Sequence, residues 1–283
     1  MNDNNPYSPP RSDVTPPPLP SSSGELLAEP RSLSAGAPFQ WLGEGWTLIK
    51  ANLGLWILIA LAWFAIQILM GLVPVLGDIA SSLLNPVFMG GIFLGLLTAD
   101  RGGVLRFDCL FEGFKQKFAP LLGIGALTLG VLFLFMIIMG GLLVGTSFDA
   151  IKDGTFDPAQ LWGGLSVGLL AVAVIIGILL MMLFWFTTQL IALNDVPVFE
   201  SLSRSFQGCL RNPLALLVYI LAVAVIMLVL LLPPGLLIMA QVSAGGSMAL
   251  LVVAMLVLFV EMVIIMPWLF GTMYVSYKAI FIK

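Results

Sequence analysis

Glu261 is the one acid set well inside a long apolar stretch of this chain, Leu258-Phe259-Val260-Glu261-Met262-Val263. A carboxylate among such neighbours is costly to ionise, so it marks a proton or cation site or else stays protonated and hydrogen-bonded. Asn85 and Gln189 lie in other apolar stretches and are the residues to complete an intramembrane polar site with Glu261. Gln67 is a further partner for a protonated Glu261. A relay normally takes several ionisable groups, which favours the hydrogen-bonded acid.

Gly164-Leu165-Ser166-Val167-Gly168 has the spacing of a nucleophile elbow, which requires a strand-to-helix turn and a histidine base. The chain has no histidine and the match opens an apolar run, so it reads as a small-residue helix contact. Without histidine there is no conventional serine triad, no His-based zinc site and no haem ligation by His. Neither a phosphate loop nor a dinucleotide fingerprint is present. Cys109 and Cys209 fall in segments assigned below to the cytoplasm and are expected as reduced thiols, not a disulfide or a metal site. No cofactor and no catalysis are expected.

Arg106, Lys115, Lys117, Arg204 and Arg211 are candidates for anionic lipid headgroups, an attraction of about 1 kcal/mol per cation near a membrane surface. Acids interleaved with them cancel part of it, and topology bias explains the same charges more simply. The net charge of -3 is small and its acids scattered, so no nucleic-acid partner is expected.

The elements that must position these residues are membrane spans. Of 283 residues 60% are hydrophobic and 10% charged, against about a quarter charged in soluble domains. The mean hydropathy is +1.08. A motif recurs three times: Phe39-Gln40-Trp41-Leu42-Gly43-Glu44-Gly45-Trp46, Phe107-Asp108-Cys109-Leu110-Phe111-Glu112-Gly113-Phe114 and Phe199-Glu200-Ser201-Leu202-Ser203-Arg204-Ser205-Phe206. Each copy precedes enough apolar sequence to cross a bilayer and return, which divides the chain into units of about 39–98, 104–193 and 197–283.

Residues 1–38 are rich in proline and serine and read as a disordered cytoplasmic tail, with no cleavable signal peptide. A leading helix is expected over about 39–50, with Phe39, Leu42, Trp46 and Ile49 on one face. Spans follow at about 53–73 and 79–98, the second kinked at Pro86, with Gly91 and Gly95 spaced for close backbone approach. The second leading helix, about 104–118, sets Phe107, Leu110, Phe111, Phe114 and Phe118 against Arg106, Asp108, Glu112, Lys115 and Lys117, as for a helix lying in the interface. Spans at about 120–145 and 163–193 come next. The latter is too long for a perpendicular crossing and must tilt or project. The third leading helix starts after Asn194-Asp195, and the last spans run over about 214–240 and 248–274, where Pro267 and Gly271 repeat the offset of Pro86 and Gly90.

With both termini cytoplasmic, Lys152 is the one basic residue left outside, which satisfies the positive-inside rule. The leading helices then lie on the cytoplasmic leaflet and the units are parallel, related about the membrane normal.

Trp41-Leu42-Gly43-Glu44-Gly45-Trp46 followed by Lys50-Ala51-Asn52 resembles the signature of a group of uncharacterised six-span bacterial inner-membrane proteins. Asp100-Arg101-Gly102-Gly103 and Leu110-Phe111-Glu112-Gly113-Phe114 carry the same resemblance, which extends over about 39–283. More distantly the chain is similar to YciC-like proteins and to the membrane domain of some glycerophosphodiester phosphodiesterases, and it has no counterpart of their soluble catalytic domain. The resemblance implies fold and location and carries over no catalytic residue.

The expected fold is therefore an all-α membrane protein, with six transmembrane helices in three parallel hairpin repeats, each preceded by a cytoplasmic amphipathic interfacial helix. The expected function is a non-enzymatic inner-membrane organiser of lipids or membrane partners, alone or as a homo-oligomer. The alternative is a transporter or channel for a small or lipidic solute that uses Glu261.

Overall fold

The computed structural model describes residues 24–146, 148, 152–155, 167–244 and 248–283. Among them the chain is all-helical, with no strand beyond an isolated bridge, and six helices are long and apolar enough to cross a membrane. The helices are α1 (Ala37–Lys50), α2 (Leu53–Gly71), α3 (Leu76–Asp100), a 3-10 turn η1 (Phe107–Phe111), α4 (Glu112–Gln116), α5 (Phe118–Thr146), α6 (Val167–Phe184), α7 (Thr187–Asn194), α8 (Val198–Arg211), α9 (Pro213–Ala244) and α10 (Met248–Phe281). The acidic connection at 146–161 falls largely outside the described residues, as do Gly164 to Ser166 of the elbow-like match and the turn at 245–247.

α3 is the central span. From Val87 to Thr98 every residue but Met89 is buried, as expected of a helix that is apolar on all sides. Its glycines admit neighbours at backbone distance. A Cβ on Gly91 would lie 2.7 Å from the Leu110 carbonyl oxygen, and one on Gly95 2.8 Å from Cys109 Sγ. Gly90 faces Ala192 of α7 and Leu121 of α5. The close approach expected at Gly91 and Gly95 is thus present, with η1 rather than a long helix as the neighbour.

The leading segments differ from expectation in which side they bury. In α1 the buried face is Trp41, Gly45 and Ile49, whereas Phe39 is 64% exposed. In α8 it is Ser201, Ser205, Gly208 and Cys209, and Phe199 is 79% exposed. The second segment is not one helix over 104–118 but η1 followed by the short α4. There Leu110 is buried, Phe114 packs edge-on to Phe88 at 4.9 Å, and Glu112, expected on the polar side, is buried. In all three a small residue permits the approach to a span, and the large residues beside it divide: Trp41, Ile49 and Leu110 are buried with it, whereas Phe39, Phe107 and Phe199 are exposed.

The seventh motif position makes this contact in each copy. A Cβ on Gly45 would meet the Thr272 nitrogen of α10 at 2.7 Å. One on Gly113 would overlap the Val87 carbonyl and reach the Gly91 nitrogen of α3 at 3.2 Å. At Ser205 the hydroxyl donates to the Met182 carbonyl at 2.8 Å and accepts from the Phe186 N–H at 3.0 Å. Val87 with Gly91, and Met182 with Phe186, are both carbonyl and amide of one helical hydrogen bond. Where the motif has glycine the span stays helical at this point, and where it has serine the hydroxyl enters the hydrogen-bond ladder and the helix breaks. The span expected as one piece over 163–193 is accordingly α6 and α7, parted at Trp185 and Phe186.

Residues 24–36 correct the expectation of a disordered tail to 38. They form a strap across the face that carries the end of α10. Leu27 and Arg31 N–H groups donate to the Phe281 and Ile280 carbonyls, each at 2.8 Å. Asn212 grips the strap twice: its Oδ1 accepts from the Leu33 N–H and its Nδ2 donates to the Arg31 carbonyl, both at 2.7 Å. Composition hides such a segment because it is held by main-chain pairing and not by apolar burial. Residues 1–23 lie outside the described residues.

Two outcomes test this packing by thermal unfolding in detergent. Gly113→Ala places a methyl on the Val87 carbonyl and lowers stability by about 1–3 kcal/mol, while Gly123→Ala on α5, with nothing within 4 Å, is neutral or slightly stabilising. Ser205→Ala strips the buried Phe186 N–H of its partner and leaves the Met182 carbonyl with the Cys209 thiol alone, and costs about 1–3 kcal/mol. An unchanged midpoint for Ser205→Ala would mean that the break at 185–186 does not depend on the hydroxyl.

Candidate functional site

Asn85 stands one residue before Pro86 on α3, Gln189 lies on α7 and Glu261 on α10. Ser81 Oγ donates to Gln67 Oε1 at 3.3 Å, and Phe64 meets Phe259 at 6.1 Å between ring centroids. Counting one turn along α3 from Ser81 and half a turn along α10 from Phe259 sets Asn85 and Glu261 at about one depth, on helices that flank α2. Gln189 lies about one turn before Ala192, which faces Gly90, so it is level with Val87.

No hydrogen bond joins the three. Glu261 Oε2 and Asn85 Oδ1 are buried without a partner, and the fully buried Gln189 has neither amide atom paired. The expected hydrogen bond from a protonated Glu261 to Asn85, Gln67 or Gln189 is therefore not formed. Trp63 Nε1, on the intervening α2, is also buried and unpaired. Unsatisfied groups inside a membrane span are costly, and each can be met by water, a proton or a ligand atom.

The candidate headgroup cations all have partners within the protein. Arg106 pairs with Asp108, and Lys117 with Asp195, the left-handed residue that ends α7. Lys115 reaches Glu112 at 2.8 Å, and this hydrogen bond raises its pKa. Arg204 holds Glu200 at 2.7 Å and the Leu27 carbonyl at 3.1 Å. Arg211 holds Glu29 at 2.6 Å and the Pro30 carbonyl at 3.0 Å. These two arginines clamp the strap, a role that distance along the chain concealed. The thiols are inert: burial pushes Cys109 and Cys209 each up to about 12, with Asp108 and Glu112 adding to the effect at Cys109. Both are protonated at neutral pH and are poor nucleophiles and metal ligands in that form.

The strap also walls a cleft that the motifs did not indicate. A cavity of about 620 Å³ lies between Arg31 of the strap, Glu44 and Thr47 of α1, Asp100 at the end of α3 and Lys278 at the end of α10. Trp41 contributes to its lining. Asp100 Oδ2 accepts from Tyr274 Oη at 2.9 Å and from Lys278 Nζ at 2.5 Å. On the other side of α1, Leu42 and Trp46 border an apolar groove with Ile226, Leu230 and Trp268, whose Nε1 donates to the Leu42 carbonyl at 3.1 Å. Asp100-Arg101-Gly102-Gly103 was the nearest sequence signal to the cleft, since it ends the central span in a charge followed by a turn.

The chain is similar to a probable inner membrane protein of Burkholderia thailandensis, with 28% identity over 200 residues that cover 66% of this chain and 72% of the relative. No solved structure matches it. Residues 47–281, from α1 to the last turn of α10, match one family throughout, and the chain belongs to that family, described as a domain of unknown function, DUF7847.

Proposed function

We propose that the protein is an integral inner-membrane protein, with both termini cytoplasmic, that holds lipids or membrane partners without catalysing a reaction. The observation that carries this reading is the uneven packing of the six spans. α3 is buried along half its length, whereas the outer parts of α5, α9 and α10 leave Met136, Met239 and Met248 each about 70% exposed. α6 packs on α8 and α7 rather than on α5. Apolar surface of this extent, divided between helices that stand apart, is matched by lipid chains or by the spans of a partner.

Three features support the finer architecture. The seventh motif position of each copy rests on the last span before it, and the first copy rests on the last span of the chain, so three parallel units close into a ring. Phe39, Trp46, Phe107, Phe111 and Phe199 are exposed on the leading segments, as on helices in an interface. The described basic residues other than Lys152 lie on the face with the strap and the end of α10, which favours a cytoplasmic position for that face. The name of the Burkholderia relative agrees with an inner-membrane location. The likeness to YciC-like proteins and to phosphodiesterase membrane domains enters this proposal for architecture alone.

Gentle extraction followed by native mass spectrometry tests the proposal, with retained lipid or a membrane-protein partner as the expected result. A bare monomer would overturn it. Transport is the second reading, favoured by the unpaired Glu261 and Asn85. Proteoliposomes loaded with a pH-sensitive dye separate the two. A holding protein leaves the proton leak at the level of empty vesicles, and a leak that Glu261→Gln removes identifies a transporter.

A further inference from the structure

We propose that the cleft between the strap, α1 and the ends of α3 and α10 binds a small zwitterion with a phosphate and a primary ammonium: phosphoethanolamine, free or as a lipid headgroup. It deepens the lipid-holding reading, and rests on it where the lipid is the source.

The cleft has the size of a small-molecule site, 620 Å³ against about 300–1,000 Å³ for such sites. Trp41 and Val275 give it an apolar part, and both are buried. Its charges divide into two kinds. Asp100 and Lys278 hold each other, with Tyr274 as a third member, and Lys283 holds Glu25 at 2.9 Å, so none of these is open to a ligand without loss of its contact. Arg31 and Glu44 are open. They come from different walls, the strap and α1, and neither forms an ion pair with any described residue or with the other. Their backbones are set: the Arg31 N–H donates to the Ile280 carbonyl, and Glu44 precedes Gly45, which packs on α10. The site thus holds one unspent cation and one unspent anion on a fixed frame.

A guanidinium presents a planar fork of N–H donors that suits phosphate oxygens, and a carboxylate accepts from the N–H groups of a primary ammonium. A pure anion would satisfy Arg31 and be repelled by Glu44. A pure cation would do the reverse. A quaternary ammonium carries the charge but no N–H to donate. Phosphoethanolamine meets both walls at once.

The test uses the full chain in nanodiscs that contain equal parts of phosphatidylethanolamine, phosphatidylcholine and phosphatidylglycerol, read by native mass spectrometry after release. Phosphatidylethanolamine is the lipid expected to be retained. Arg31→Gln and Glu44→Gln each lower its retention about tenfold, the scale of one charge-assisted hydrogen bond. Both leave the thermal midpoint unchanged, since neither side chain has a bond to lose. Lys50→Gln, on α1 but outside the cleft, leaves retention unchanged. Soluble O-phosphoethanolamine, titrated by calorimetry, separates the two sources. Binding of this compound alone, with the same dependence on Arg31 and Glu44, supports the site and removes its lipid role. Retention that ignores both substitutions, equal retention of the three lipids, or equal loss with Lys50→Gln overturns the site, and lipid retained elsewhere would leave the holding reading in place. No retention of lipid and no binding of the soluble compound overturns the proposal.

Discussion

Backbone approach at one small residue of a recurring motif is the constraint on which the rest of this structure depends. Between spans in a membrane, apolar surface is no better off against protein than against lipid, so association relies on close packing and on buried hydrogen bonds. Gly45, Gly113 and Ser205 supply it. Each brings a leading segment against the carbonyl or amide of a helical turn in a span, the preceding one for Gly113 and Ser205 and the last of the chain for Gly45. The glycines do so by having no Cβ. The serine does so by replacing a helical hydrogen bond with two of its own.

This approach sets the orientation of everything attached to the segments. With the small side turned inward, Phe39 and Trp46 of α1 and Phe199 of α8 face outward while Trp41 stays buried, and η1 passes close enough to α3 for Cys109 to touch Gly95. α3 receives neighbours on all sides and becomes the buried centre. Gly125 of α5 still meets the Leu83 carbonyl of α3, but the outer parts of α5, α6, α9 and α10 carry exposed apolar side chains. The protein is tightly built at one face and open toward the other.

The tight face is also where the polar chemistry gathers. Arg204, Arg211 and Asn212 hold the strap, and the strap closes the wall of the cleft. Ion pairs at such a surface contribute little stability singly. Main-chain hydrogen bonds from Leu27 and Arg31 to the end of α10 give the strap its position, and the arginines secure it. The deeper polar groups, Glu261, Asn85 and Gln189, belong to a separate layer among the spans and share no hydrogen bond with the cleft.

Helix type, six spans and the recurrence of the motif were legible in the chain because each is local: runs of apolar residues, glycine spacing and charge placement repeat within one segment. Close packing at Gly91 and Gly95 was legible for the same reason. The inward side of the motif was not, since a stripe of phenylalanines suits a lipid interface as well as a core, and the choice fell to the smallest residues. The break at Trp185 and Phe186 depends on a hydroxyl 19 residues further on, and the strap on an asparagine 179 residues away. Glu44 and Arg31 share a cleft only because α1 and the strap meet the end of α10. Sequence alone determined which segments are helical and apolar enough to span a membrane; tertiary structure decided which backbones touch and which charges stay unspent, because both follow from contacts between residues far apart in the chain.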